Sequence, residues 1–115
     1  IEFYCLQNEI WERDKIHFNE MKISDFGKYN LVEISSIIEN LDLVISADTS
    51  ILHLSAALNK ETWGIFNIYP DWRWGGLDKI NPYKSLIKIN QSKFNEWSDV
   101  VDEIFKKLKD KFKLD

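Results

Sequence analysis

LVISADTSILHLSAAL, residues Leu43–Leu58, decides how this chain is read. Its first part, Leu43-Val44-Ile45, is short, aliphatic and unbroken, the pattern of a parallel strand covered by helices on both faces. Asp48-Thr49-Ser50 stops that strand with three residues of the type that cap helices. Ile51, Leu54 and Leu58 then return at helical spacing. The small Ala56 and Ala57 allow close approach to a sheet, and the pattern predicts a helix through about Asn59. A strand that passes through one polar joint into a helix is the repeating unit of an α/β fold.

The flanking sequence extends that alternation. Upstream, Asn30 caps a helix with Glu33 at the capping-box spacing, and Ile34, Ile37, Ile38 and Leu41 form its apolar face. Downstream, Thr62–Phe66 reads as a buried strand. Asn67–Tyr83 is a long irregular segment that holds both prolines and the cluster Asp71-Trp72-Arg73-Trp74. Leu86–Ile89 reads as the last strand. Asn95 or Ser98 then caps a long helix with Trp97, Val100, Val101, Ile104, Phe105 and Leu108 on one face, its acids early and its lysines late, as the helix dipole favours. At the start, Ile1–Leu6 reads as a buried strand, Gln7–Lys15 as a short helix or loop, Ile16–Phe18 as a short strand and Met21–Tyr29 as a loop. The expectation is a single α/β domain over residues 1–115, Rossmann-like, with a mostly parallel sheet flanked by helices.

Composition narrows the function. The chain has 115 residues, of which 44% are hydrophobic, enough for one small core. Net charge is −4, Arg13 and Arg73 are the only arginines, and the late lysines fall mostly within Lys106–Lys113. Without a basic stripe to neutralise phosphates, nucleic acid is not an expected partner. Cys5, the single cysteine, reads as a buried apolar thiol that suits a cytoplasmic, reducing compartment. No apolar run reaches the ~20 residues of a membrane span, and no signal peptide is visible. Because the chain opens on Ile1 within an apolar run, a fragment or a trimmed or processed product is expected.

In open α/β sheets, ligands gather beyond the carboxyl ends of the strands. In this sequence those ends are Gln7, Ser46–Ser50, Asn67–Trp74 and Asn90-Gln91, all of them polar. At Asp48-Thr49-Ser50 the first amides of the coming helix lack partners and carry the positive end of its dipole, which suits an anion. Thr49 and Ser50 add hydroxyls. His53, one turn on, suits a neutral donor to a phosphate oxygen, because the dipole there opposes an imidazolium. Asp48 repels phosphate and fits better as a cap on the amides or as an acceptor from sugar hydroxyls. Read locally, a plain helix cap with a polar first turn is the commoner explanation of these residues. Their place at a strand's carboxyl end, with an aromatic loop downstream, reverses that preference. In that loop Trp72 offers a face for a base or sugar and Arg73 a charge for phosphate, while the competing reading is a hydrophobic plug with Arg73 on the surface. Gln7 and Gln91 are candidates for hydrogen bonds to a base or ribose. His17 is assigned to structure.

Neither the dinucleotide fingerprint nor the P-loop occurs. A G-x-S-x-G elbow is also absent, as is a D-x-D pair to hold a divalent metal. Leu6-Gln7, where paired acids would stand, argues against a phosphoacceptor receiver.

LDLVISADTSILHLSAALN (Leu41–Asn59), then Thr62–Phe66 and PDWRW (Pro70–Trp74), resembles the C-terminal part of bacterial glycosyltransferases fused to tetratricopeptide repeats. These are similar to the heptosyltransferases of glycosyltransferase family 9 and share the two-domain GT-B architecture. FYCLQ (Phe3–Gln7) resembles the second strand of that C-terminal domain, with Cys5 where the family has Ser, and Gln91 and Trp97 fall where it has Gln and Trp. The resemblance covers nearly the whole chain. It implies the half that binds a nucleotide-diphosphate sugar, with Asp48 at the sugar and Thr49, Ser50 and His53 around the diphosphate. It implies no cofactor and no bound metal, and it assigns no catalytic residue to this chain, since the acceptor and the base belong to an N-terminal half. That half, or a tetratricopeptide region, is an expected partner. The domain's first strand, central in the usual order, is missing, which predicts a gap, a rearranged pairing, or a sheet completed by another chain such as a second copy. The chain is therefore expected to be inactive alone. The alternative is a non-catalytic protein-interaction module that keeps the fold.

Overall fold

The structure, a computed structural model, describes residues 1–74 and 81–115. These form two compact units, Ile1–Ile37 and Ile38–Asp115. The fold is α/β and Rossmann-like, with parallel strands in two sheets and four α-helices among the described residues.

In the first unit, β1 (Tyr4–Cys5) and β2 (Ser24–Asp25) pair in parallel, with Tyr4 opposite Ser24 and Cys5 opposite Asp25. The expected buried strand over Ile1–Leu6 is corrected: only two residues pair, and Ile1, Phe3 and Tyr4 are exposed. An apolar run becomes a buried strand only where its edges and faces are covered. Here a two-residue partner covers one edge, and Tyr4 stacks on Phe26 at 5.5 Å. Cys5 is half-buried, its sulfur 3.4 Å from the Gln7 amide.

Residues Ile16–Phe18, expected as a strand, lie inside helix α1 (Glu12–Met21). Glu12 and Asp14 suit its positive end, and Lys15 pairs with Glu12 one turn apart. Two β-favouring residues, Ile16 and Phe18, do not outweigh a ten-residue helical frame. Lys22, in the left-handed region at φ 54°, closes the helix. The segment expected as loop contains β2 and a turn in which the Gly27 amide donates to Asp25 Oδ1 at 2.8 Å. Gly27 sits at φ 67°, which glycine adopts without strain.

Helix α2 (Leu31–Glu39) carries the expected capping box. Asn30 Oδ1 accepts from the amides of Val32 and Glu33 at 2.9 Å each, and Glu33 Oε2 accepts from the Asn30 amide at 3.3 Å. Ile34 and Ile38 are fully buried. The last turn of α2 belongs to the second unit, where Lys60 Nζ donates to the carbonyls of Glu39 and Leu41.

The second unit holds β3 (Val44–Ala47), β4 (Thr62–Phe66) and β5 (Leu86–Asn90) in that order, all parallel. Val44 lies opposite Thr62, and Thr62 opposite Leu86. Central β4 is the most buried, whereas β3, at the sheet's edge, has Ile45 and Ser46 only half-covered. Helix α3 (Ser50–Ala57) packs Leu52 and Ala56 against Phe66, Leu86 and Trp74. It ends two residues before the expected Asn59. Asn59 takes φ 58°, and the amides of Asn59 and Lys60 turn back to the carbonyls of Ala56 and Ser55, a left-handed helix end.

Helix α4 (Ser98–Phe112) packs with the Trp63–Ile89 side. Its N-cap is Trp97 and makes no side-chain cap bond, so neither Asn95 nor Ser98 takes the expected role. Asp99 serves instead: its carboxylate accepts from the amides of Ser92 and Val100 at 2.9 Å each. The predicted apolar face is only partly covered. Val100, Ile104 and Leu108 join the core, while Trp97, Val101 and Phe105 are exposed. A stripe that wide exceeds what one small sheet covers.

Candidate functional site

The site is built at the joint after β3, in the second unit. Asp48 and Thr49 leave the strand, with Thr49 in extended conformation (φ −136°, ψ 173°) as N-cap of α3. Its side chain does not cap the helix. Ser46 Oγ donates to the Ala47 carbonyl at 2.9 Å, so Thr49 Oγ1, 3.2 Å away, donates to Ser46. The Thr49 carbonyl receives the amides of Leu52 (3.1 Å) and His53 (3.4 Å). The start of α3 is thus not closed by the side chain of its cap residue, and the first amides of a helix lack partners within it and carry the positive end of its dipole.

His53 is held from three sides. Its ring stacks on Trp74, with centroids 4.6 Å apart and planes 23° from parallel. Nδ1 lies 3.0 Å from the Tyr83 hydroxyl, and Nε2 lies 3.8 Å from Asp48 Oδ1. Tyr83 is itself pinned. Its amide donates to Asn81 Oδ1 at 3.1 Å, and Asn81 Nδ2 donates to the Leu86 carbonyl at 2.6 Å. Trp74 packs edge-on to Phe66 at 5.0 Å. Lys88 donates to the Trp74 carbonyl at 2.7 Å, and partial burial lowers its amine's pKa from the usual lysine value.

The aromatic cluster divides. In the 3₁₀ turn Trp72–Trp74, Trp74 is 1% exposed and Trp72 is 82% exposed. The plug of the competing reading is Trp74, whereas Trp72 stands in solvent. Arg73 is engaged with Asp71, Nε to Oδ1 at 2.9 Å and Nη2 to Oδ2 at 3.3 Å. That hydrogen-bonded pair lowers the Asp71 carboxyl below its usual range and raises the guanidinium, to which Asp48 adds a smaller attraction. Residues 75–80, which complete the expected loop, lie outside the described residues.

The structure gathers Asp48, Thr49, Ser50 and His53, and the charge of Arg73 reaches Asp48. Gln91 follows β5, buried, with its amide on the Phe66 carbonyl at 2.9 Å and its Nε2 without a partner among the described residues. Gln7 belongs to the first unit. Sequence reasoning missed Tyr83 and Lys88. Tyr83 gave no signal in a turn-rich stretch. Lys88 did, as a charge inside the apolar strand Leu86–Asn90.

A family model described as glycosyltransferase family 9 (heptosyltransferase) matches residues 5–109. Neither curated proteins nor solved structures gave a significant match.

Proposed function

The chain belongs to glycosyltransferase family 9, and on that premise we propose that its second unit holds the donor, a nucleotide-diphosphate sugar, at the joint between β3 and α3. The observation that carries this reading is the uncapped start of α3 with His53 fixed one turn along it. In sugar transfer the bond from the anomeric carbon to the diphosphate breaks, and negative charge grows on the leaving oxygen. Helix amides and a neutral imidazole N–H oppose that charge without reorganising. Ser50 adds a hydroxyl, Asp48 accepts from the sugar, and Trp72 and Gln91 serve the base and ribose. Arg73 exchanges Asp71 for phosphate. In this reading the acceptor, a glycan, lipopolysaccharide or protein, and the base that activates it come from a further domain, and the setting is cytoplasmic.

Calorimetry with a panel of nucleoside diphosphates and their sugars tests the proposal. His53→Ala is expected to weaken binding roughly 10-fold or more, as for loss of a hydrogen bond to a charged group, and Ser50→Ala by less. A folded sample that binds none of the panel at millimolar concentration would refute it.

The exposed Trp97, Val101 and Phe105 on α4 favour a second reading, a non-catalytic module that binds protein. A dimer in light scattering, lost on Phe105→Lys, would support it.

A further inference from the structure

The imidazole of His53 is reached at both nitrogens by groups of opposite use. Asp48 Oδ1 lies 3.8 Å from Nε2, beyond hydrogen-bond distance yet close enough to favour a proton there. The Tyr83 hydroxyl lies at 3.0 Å from Nδ1 and can donate or accept. Of the two neutral tautomers, the one that satisfies both contacts puts the proton on Nε2 and has Tyr83 donate to Nδ1. The opposite tautomer would turn a bare nitrogen lone pair toward a carboxylate. Stacking on Trp74 prevents the ring from escaping by rotation, since Trp74 is fixed by Phe66 and by Lys88 on its carbonyl.

We propose that Tyr83 is a positioning residue: its hydroxyl, donating to Nδ1, holds neutral His53 with its proton on Nε2, where it serves as donor to an anionic ligand beside Asp48. The proposal rests on the donor-binding reading only for the identity of that ligand. The tautomer itself is a property of the free chain. The ring can then donate without first becoming charged, which matters at a helix start where the dipole opposes an imidazolium. Tyr83 acts through His53 and touches no reacting atom.

The test uses the full chain with His17→Asn, which leaves one histidine, labelled with ¹⁵N and studied above the ordinary histidine titration range. Long-range proton–nitrogen spectra are expected to show Nδ1 unprotonated and Nε2 protonated. In Tyr83→Phe, which keeps the ring and its packing, the two nitrogen signals should move toward each other as both tautomers become populated. A ring protonated on Nδ1, or a pattern unchanged by Tyr83→Phe, overturns the proposal. Inorganic pyrophosphate and ADP then serve as probes. Tyr83→Phe should weaken their binding about 3- to 10-fold, the effect of one hydrogen bond, and should add nothing in a His53→Ala background. A further loss in that background means that Tyr83 acts by another route and also overturns it. If neither probe binds, the same comparison is made with the remaining nucleoside diphosphates of the panel; a chain that binds none of them fails the donor-binding reading, while the nitrogen spectra still decide the tautomer.

Discussion

Tryptophans 72 and 74 stand two residues apart in one turn, and their surroundings separate them completely. Removing the indole of Trp74, which touches His53, Phe66 and Tyr83, is expected to lower unfolding free energy by about 3–5 kcal/mol, and Trp72→Ala to change it by no more than about 0.5 kcal/mol, both read from urea unfolding. Gly64 makes a second case. A Cβ there would stand 2.6 Å from the Phe66 ring and 2.8 Å from Leu52, so Gly64→Ala should destabilise by roughly 1–3 kcal/mol through overpacking, measured the same way. Neither contrast is legible in PDWRW or TWGIF. The sequence shows aromatic content and a glycine in a strand, but the partner across the gap comes from another element. The joint is different. Asp48, Thr49, Ser50 and His53 lie within six positions, so strand and helix periods alone bring them to one place.

Local signals foretold elements well where the element carries its own punctuation. Asn30 and Glu33 cap α2 as their spacing requires, and Asn30→Ala should lower stability by about 1 kcal/mol in thermal or urea unfolding. The start of α4 had no such legibility, because its anchor reaches seven residues back: Asp99 accepts from the Ser92 amide. That bond, with the Val100 amide, holds the Asp99 carboxyl below the ordinary aspartate range. Its folded pKa is lowered, so its contribution is present above the unfolded value near ~3.9 and is lost as pH falls through the folded one. An acid titration followed by the Asp99 carboxyl carbon and the Ser92 amide proton should show both shifting together below the ordinary aspartate range. In Asp99→Asn the Ser92 shift should no longer follow pH there. Ile16–Phe18 differs for the opposite reason: the charged helical frame of α1 around it outweighs a three-residue run.

Across the whole molecule the two units differ in what secures them. In the second, three parallel strands bury Trp63, Phe66, Leu86 and Ile89 between α3 and α4, and Lys111 ties α4 to Glu61 at 2.7 Å. In the first, each strand is two residues long, α1 has no buried residue, and Trp11, Ile16 and Met21 are exposed. Protection against amide exchange follows buried contact and satisfied backbone bonds, so opening free energies should be unequal along the chain. Hydrogen–deuterium exchange of the intact chain should find β4 and β5 the slowest, exchanging only on opening of the second unit, while α1 and the β1–β2 pair exchange orders of magnitude faster. The parallel α/β pattern predicted the slow part, because unbroken aliphatic strands mark a covered sheet. It misjudged the first unit, where FYCL has the composition of a buried strand and lacks the cover. Equal protection in both units would mean that the first draws stability from contacts beyond its own residues. A nucleoside diphosphate that binds as proposed should add protection at the first turn of α3, where the opening amides meet the anion, and leave exchange in α1 unchanged.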